Sequence, residues 1–149
     1  MIEMALARLE DLPQLVALLG ILFSQETEFA PDDAKQTRAL EKILSDESVG
    51  RIYVARDGGR VVAMATLLYT ISTAEGGVAA LLEDVIVLPG SRGRGVGRAL
   101  LTHVVEEARK QGVLRLTLLT DSQNSRAQSL YLKLGFAASS MTPMRLRWK

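Results

Sequence analysis

The sequence predicts a mixed α/β fold, in which a mostly antiparallel sheet is covered by helices and contains one parallel βαβ unit. Asp57, Gly58 and Gly59 separate two apolar stretches, which is typical of an antiparallel hairpin with a tight turn. Further along, a strand-like run at 80–87 leads through a glycine-rich turn and a helical segment to another strand-like run at 113–120. That order predicts two parallel, adjacent strands.

In the first half, residues 4–23 indicate a short strand and then a helix. Asp11 is the expected N-cap, and apolar residues follow at helical spacing: Leu12, Leu15, Val16, Leu19 and Leu22 or Phe23. Residues 31–46 predict a second helix that starts after Pro31 and Asp32. The hairpin spans 51–71, and the apolar character of its second arm predicts a strand that is buried on both faces.

In the second half, residues 72–77 predict a connection to the strand at 80–87. A long helix is expected from Gly95 to about Gln111, ended by Gly112, and it leads to the strand at 113–120. Residues 124–136 predict a last helix closed by Gly135, and residues 144–149 a final strand. Because the chain contains no repeat and no long linker, we expect residues 1–149 to form a single domain.

Composition excludes several classes of protein. Eighteen basic and seventeen acidic residues leave a formal net charge of +1, too balanced for a surface that grips nucleic acid or an anionic membrane throughout. The chain has no cysteine, which removes disulfides, thiolate metal sites and cysteine nucleophiles. Its start lacks the pattern of a secretory signal, and no apolar run approaches the ~20 residues of a membrane span. We expect a cytoplasmic protein without a metal.

The segment at 92–98 has the composition of an anion site. Gly93, Gly95 and Gly97 let the backbone approach a ligand closely, since no Cβ intervenes. They open a helix, whose first N–H groups lack partners and lie at the positive end of the dipole. Arg92, Arg94 and Arg98 add forked donors for phosphate oxygens.

The residues alone leave the phosphate ligand open. A nucleotide P-loop requires Gly-Lys-Ser or Gly-Lys-Thr, which does not occur. The dinucleotide fingerprint requires a third glycine where this chain has Arg98 or Leu100, although Asp121 follows the next strand as a ribose-binding acid would. Because the glycine spacing does not match, it argues against a dinucleotide more strongly than Asp121 argues for one.

At this loop the sequence resembles the GNAT superfamily of N-acetyltransferases. Residues 92–97, Arg-Gly-Arg-Gly-Val-Gly, match that family's acetyl-CoA signature: Arg or Gln, two residues, Gly, one residue, then Gly or Ala. Asn124, Ala127, Tyr131 and the pair Gly135-Phe136 resemble the family's later motif at matching spacing. The order of elements agrees over roughly the whole chain, which implies a GNAT-like fold with helices on both faces of the sheet.

The resemblance implies a set of site residues. The strand would pair with the pantetheine arm, the loop would hold the pyrophosphate, Asn124 would orient the cofactor or a water, and Tyr131 would place its hydroxyl near the thioester sulfur. The cofactor-binding set so implied is Val85, Ile86, Val87, Arg92, Gly93, Arg94, Gly95, Val96, Gly97, Arg98, Asn124, Ala127 and Tyr131.

Two carboxylates interrupt the strand that enters the loop. Strict alternation places Glu83 on the face of Val85 and Val87, and Asp84 on the opposite face. Either could be a structural ion pair. An amine of pKa ~10.4 is almost wholly protonated at pH 7, however, and a nearby carboxylate can accept its proton. We therefore take Glu83 as the candidate base.

The leaving thiolate and the acceptor amine need partners too. Tyr131 is the candidate acid for the thiolate. The substrate-binding candidates are Glu28, Glu83 and Asp84, because acids in and near the loops at 24–33 and 72–77 suit a cationic acceptor.

Together these features predict transfer of acetyl from acetyl-CoA to a primary amine, on a small molecule, a lysine or an N-terminus. Without a cysteine nucleophile, direct attack in a ternary complex is expected. The partners expected are an amine acceptor and a second copy in a homodimer, with neither nucleic acid nor membrane. One alternative is a sensory module that binds CoA or a nucleotide without transfer, and another is a nucleotide or nucleic-acid binder that uses the arginine loop.

Overall fold

The computed structural model describes residues 1–148, and in it five strands form one sheet in the order β1-β2-β3-β4-β5. They are β1 (Ile2–Leu6), β2 (Gly50–Asp57), β3 (Arg60–Ser72), β4 (Gly77–Val87) and β5 (Leu116–Leu118). The helices are α1 (Leu12–Gln25), α2 (Asp33–Ser45), α3 (Val96–Lys110) and α4 (Ser125–Lys133), with short 3-10 turns at Leu9–Asp11 and Pro89–Ser91. All pairings are antiparallel except that of β4 with β5, which confirms the predicted mixed sheet.

The hairpin forms where the glycines predict it. Gly58 and Gly59 have φ of +57° and +85°, and Asp57 pairs with Arg60 across the turn. Two successive positive φ values suit a tight turn whose twist matches that of the flanking strands. The central part of β3 is buried over seven consecutive residues, as expected of a strand covered on both faces.

Each face of the sheet has its own core. On one face, α3 packs Leu100, Leu101 and Val104 against alternate residues of β2 to β4. On the other, Leu15, Leu18 and Leu19 of α1 and Leu40 of α2 pack against the intervening residues. The period-2 alternation of the strands therefore divides the apolar side chains between two helical layers.

Asp11 lies at the N-cap of α1, as predicted, but its side chain makes no capping hydrogen bond. It instead accepts from both terminal nitrogens of Arg56, at 2.7 and 2.6 Å, and from the backbone N–H of Arg8 at 2.7 Å. Both partners are almost fully buried. The hydrogen bonds from Arg56 lower the pKa of Asp11 despite its burial. The acid thus joins β2 to the start of α1.

The expected final strand at 144–149 is wrong for the residues that the structure describes. Residues 137–148 form no strand, and Met144, Leu146 and Trp148 are at least 80% exposed. The stretch alternates apolar and basic residues, as a strand does, but a strand needs a hydrogen-bonded neighbour. In the described chain β5 pairs only with β4.

No helix within residues 1–148 has the length and apolarity required to traverse a bilayer. Over the same residues, no group of three or more His, Asp or Glu side chains is arranged to hold a metal ion.

Candidate active site

β4 and β5 separate five residues before β4 ends. Their ladder covers only Ala80 to Leu82 of β4, paired with residues 116–118, and β4 continues five residues further. Leu88 donates its N–H to Val62 of β3, so the backbone groups of Val87 point to the open edge. The end of β4 thus leaves the N–H of Val87 free for an extended ligand.

The loop beyond β4 presents a row of free amides. Gly93 and Gly95 have φ of +79° and +75°, a conformation that favours glycine, and Gly95 is the N-cap of α3. The first bond of the helix is donated by Ala99 to Gly95. Among residues 1–148, no acceptor is found for the N–H groups of residues 93–98. Six free donors at a helix N-terminus have the chemistry to receive an anion.

The three arginines of this loop have different surroundings. Arg92 donates from Nε to the carbonyl of Val87 at 3.0 Å and so holds the loop against the end of β4. Arg94 forms an exposed pair with Asp57 of the hairpin at 3.4 Å. Arg98 is exposed on the first turn of α3. The side chains of Arg92 and Arg94 are therefore directed at protein groups, whereas the backbone amides of the loop stay free.

α4 completes this end of the sheet. A Cβ on Gly97 would lie 3.4 Å from Val87 and 3.8 Å from Leu130, so the small residue brings α3, β4 and α4 together. Asn124 caps α4 by accepting from Ala127 at 3.0 Å. Asn124 and Ala127, two residues of the later motif, are thereby explained as a helix cap.

Tyr131 lies on α4 and packs edge-on against Phe136, with 5.9 Å between ring centroids. Its hydroxyl forms no hydrogen bond within the described chain, and burial raises its pKa. It therefore stays protonated at neutral pH and is able to donate.

The carboxylates of β4 do not follow strict alternation, so the predicted division of faces is wrong. The register with β3 shifts between Met64 and Thr66, and Asp84 has a φ of +52°, which no other non-glycine residue in 1–148 shares in sign. This bulge inserts one residue. Glu83 consequently lies opposite Thr66 on the α1 face, whereas Val85 and Val87 pack toward α3.

Asp84 is the most perturbed acid of this region. Burial, followed by the negative charges of Glu83 and Glu26, raises its pKa to about 6. The Thr66 hydroxyl is near enough to oppose that rise, yet Thr66 Oγ1 has no partner of hydrogen-bonding geometry within the described residues. Glu26, the residue that follows α1, therefore lies near Asp84.

Comparison with known proteins identifies this arrangement. The acetyltransferase (GNAT) family model matches residues 15–136. The chain belongs to the GNAT family. It is 30% identical over 122 residues to the uncharacterized N-acetyltransferase YhfO of Bacillus subtilis, which covers 80% of this chain and 82% of that protein. Like the family, the chain is an acyl-CoA-dependent N-acyltransferase.

Other GNAT relatives differ in what they are named for. The glucosamine 6-phosphate N-acetyltransferase of Trypanosoma brucei brucei is 33% identical over 91 residues, 60% of each chain. The alanine N-acetyltransferase for ribosomal protein bS18 of Escherichia coli is 42% identical over 57 residues, 38% of each chain. A crystal structure of a predicted acetyltransferase with acetyl-CoA from Clostridium acetobutylicum has a TM-score of 0.79 at 20% identity, covering 99% of this chain and 96% of that one, and shares the fold.

Several features of the GNAT site were not visible in the sequence. In the sequence, nothing distinguishes Thr66 from the other residues of its mostly apolar strand. In the structure it is fully buried and lies opposite Glu83. Phe29, in the segment between α1 and α2, lies under the guanidinium groups of Arg145 and Arg147. In the sequence, the acids of the strand at 80–87 and of the loop at 24–33 were the signals that pointed to this region. Two surface cavities of about 310 and 400 Å³ lie elsewhere, and neither is lined by residues 83–98.

Proposed function

We propose that this chain transfers the acetyl group of acetyl-CoA to a primary amine in a ternary complex. The observation that carries the proposal is the row of six unpaired N–H groups at 93–98, next to the open edge of β4. A diphosphate offers acceptors for such a row, and the pantetheine arm carries amides that can pair with a strand edge. Together the two features fit CoA better than a free nucleotide.

The residues proposed to hold CoA divide by their chemistry. Val85 supplies backbone groups at the open edge, and Val87 supplies its N–H, because its carbonyl already accepts from Arg92. Ile86 between them fixes the strand in the α1-side core. The amides from Gly93 to Arg98 hold the diphosphate, with Arg92 positioning the loop through Val87. Asn124 and Ala127 build the start of α4 and so place Tyr131.

When bound, acetyl-CoA supplies an acetyl group activated as a thioester. Glu83 is the proposed base, since it is exposed on the α1 face of β4 next to the bulge and can take the ammonium proton directly or through water. Tyr131 is the proposed acid for the departing sulfur. Because a free thiol has a pKa of ~8.5, the sulfur can leave without full protonation, and Tyr131 accelerates the step rather than enabling it.

The acceptor is proposed to be cationic, and Glu28, Glu83 and Asp84 to attract it. We further propose that residues 1–149 act as one domain in the cytoplasm, as a homodimer. The absence of cysteine and the lack of a membrane-spanning helix among the described residues are compatible with that location.

Calorimetry with acetyl-CoA and a turnover assay with a panel of amines test the proposal together. Saturable binding with turnover of at least one amine is expected. Binding without turnover of any amine would favour the non-catalytic sensory module. Binding of ATP, NAD or an oligonucleotide that acetyl-CoA does not displace would favour the nucleotide or nucleic-acid binder.

A further inference from the structure

Near its end the chain has an inverted pattern of exposure, with apolar side chains in solvent and charged ones against the protein. Three alternate residues, here called the apolar stripe, are at least 80% exposed: Met144, Leu146 and Trp148. Arg145 and Arg147, which lie between them, are only about half exposed, and both pair with Glu28. Their guanidinium carbons also lie 5.5 and 4.8 Å from the centroid of the Phe29 ring. Apolar surface left in water in this way marks a site of interaction.

The backbone of the same segment is unpaired as well. Among residues 1–148, no hydrogen bond joins the main chain of residues 144–148 to another part of the backbone. The segment alternates apolar and basic residues as a strand does, and it lacks only a neighbouring strand. Free backbone groups with alternating apolar side chains are a template for pairing with another chain.

The charges of the segment favour a second copy of this chain as that neighbour. Because Arg145 and Arg147 are turned toward Glu28 and Phe29, the face that remains for a partner is apolar. A nucleic acid or an anionic membrane would instead require those guanidinium groups. An apolar stripe is complementary to itself, which a two-fold interface requires because both copies use the same patch.

We propose that residues 144–148 of two copies pair antiparallel about a two-fold axis at Leu146. The proposal rests on the homodimer proposed above and names its surface. In this register Leu146 lies opposite itself and Met144 opposite Trp148, so every member of the apolar stripe is covered. On the other face, Arg145 lies opposite Arg147 of the second copy. The Glu28 of each chain, which contacts both of its own arginines, offsets their repulsion.

Because the chain has no cysteine, a single introduced cysteine tests this register directly. Residues opposite each other in an antiparallel pair have Cα atoms about 4.5–5.5 Å apart, a separation that a disulfide spans. Leu146→Cys, oxidised with diamide, should therefore give a disulfide-linked dimer on a non-reducing gel. Ile71→Cys is the matched control, since Ile71 is a strand residue that is 73% exposed, and it should stay monomeric on the gel.

Sedimentation velocity over a series of protein concentrations measures the strength of the interface. Leu146→Asp should raise the dissociation constant of the dimer by about 10-fold or more, because it places two carboxylates opposite each other in an apolar contact. Glu28→Gln should also weaken the dimer, and less so at high salt, because it leaves the repulsion between the arginines without an offset. Ile71→Asp should leave the constant unchanged. Melting temperatures show that each variant is folded.

The results distinguish this surface from the homodimer itself. A dimer that persists unchanged in Leu146→Asp, or a disulfide that forms as readily in Ile71→Cys as in Leu146→Cys, would overturn the surface and leave the homodimer intact. A chain that is monomeric throughout the concentration series would refute both. Acetyl transfer is tested separately, by the binding and turnover of acetyl-CoA.

Discussion

Thr66 lies directly opposite Glu83 across the β3–β4 ladder, and the next residue of β4, Asp84, adopts a φ of +52°. The pair marks a bulge at which the strand stops alternating. Because of the extra residue, Glu83 and Ile86 share the α1 face while Val85 and Val87 turn toward α3. The same irregularity therefore directs the acids to the proposed acceptor side and the valines toward the helix that carries the CoA loop.

Replacement of Glu83 by glutamine should lower kcat/KM by about 10²-fold or more and change the pH–rate profile, since general-base catalysis contributes on that order. The amide keeps the size of the side chain but cannot accept the ammonium proton. Stopped-time assays across pH 6–9 with a fixed amine measure the effect. If rate and profile both match those of the wild type, Glu83 is not the base.

Tyr131→Phe should slow turnover without abolishing it, by about 10-fold, because the thiolate leaves partly unaided. The variant keeps the ring contact with Phe136, so the fold should be preserved. Single-turnover measurements separate the chemical step from product release. Full wild-type rates in that experiment would remove Tyr131 from the mechanism.

Gly95→Ala should destabilise the protein by about 1–2 kcal/mol, the cost of a positive φ for an L-residue, and weaken acetyl-CoA binding. The reason is the φ of +75° at the N-cap of α3. Gly97→Ala is the matched control for stability, because its Cβ meets nothing closer than 3.4 Å. Thermal melts and calorimetry provide the two readouts. A variant at Gly95 that melts and binds like the wild type would contradict the proposed loop geometry.

Asp84→Asn should stabilise the protein above pH 6 and have little effect near pH 4. The folded-state pKa of about 6 is above the usual 3.8, so the ionised form opposes folding. That penalty is small near pH 4, grows as the pH rises, and is complete above pH 6, where it amounts to at most about 3 kcal/mol. Urea unfolding at pH 4 and pH 7.5 measures the difference. Asparagine also tolerates the positive φ, whereas Asp84→Ala adds strain.

Asp11→Asn should destabilise the protein by about 3–5 kcal/mol at neutral pH, because it leaves the buried guanidinium of Arg56 without its charge partner. The lowered pKa of Asp11 means that this contribution is present above the unfolded value and is lost as the pH falls through the folded one. Asp57→Asn, which breaks exposed pairs with Arg94 and with the N-terminal ammonium, should cost no more than about 1 kcal/mol. Similar losses for the two variants would show that burial does not matter here.

The sequence by itself determined the parts of this protein that depend on local chain chemistry. Gly58 and Gly59 form the turn of the hairpin. Gly95 is the N-cap of α3, and Gly112, with a φ of +80°, follows the end of that helix. Positive φ values and helix caps are properties of a few adjacent residues. Apolar residues at helical spacing likewise predicted α1, the start after Pro31 and Asp32 predicted α2, and an almost wholly apolar run predicted the buried β3. The glycine-rich loop pointed to the family.

Tertiary structure alone decided where the strand pattern fails and which distant side chains meet. Nothing near Asp84 in the chain marks a bulge, because its cause is the register between β3 and β4. Arg56 donates hydrogen bonds to the carboxylate of Asp11, the expected cap, although the two residues are 45 positions apart in the chain. Arg147 likewise donates to Glu28, which is 119 positions away. The prediction of a final strand was wrong for the same reason. Alternating apolar and polar residues give a strand one apolar face, but a strand also requires a hydrogen-bonded neighbour, which only the fold provides.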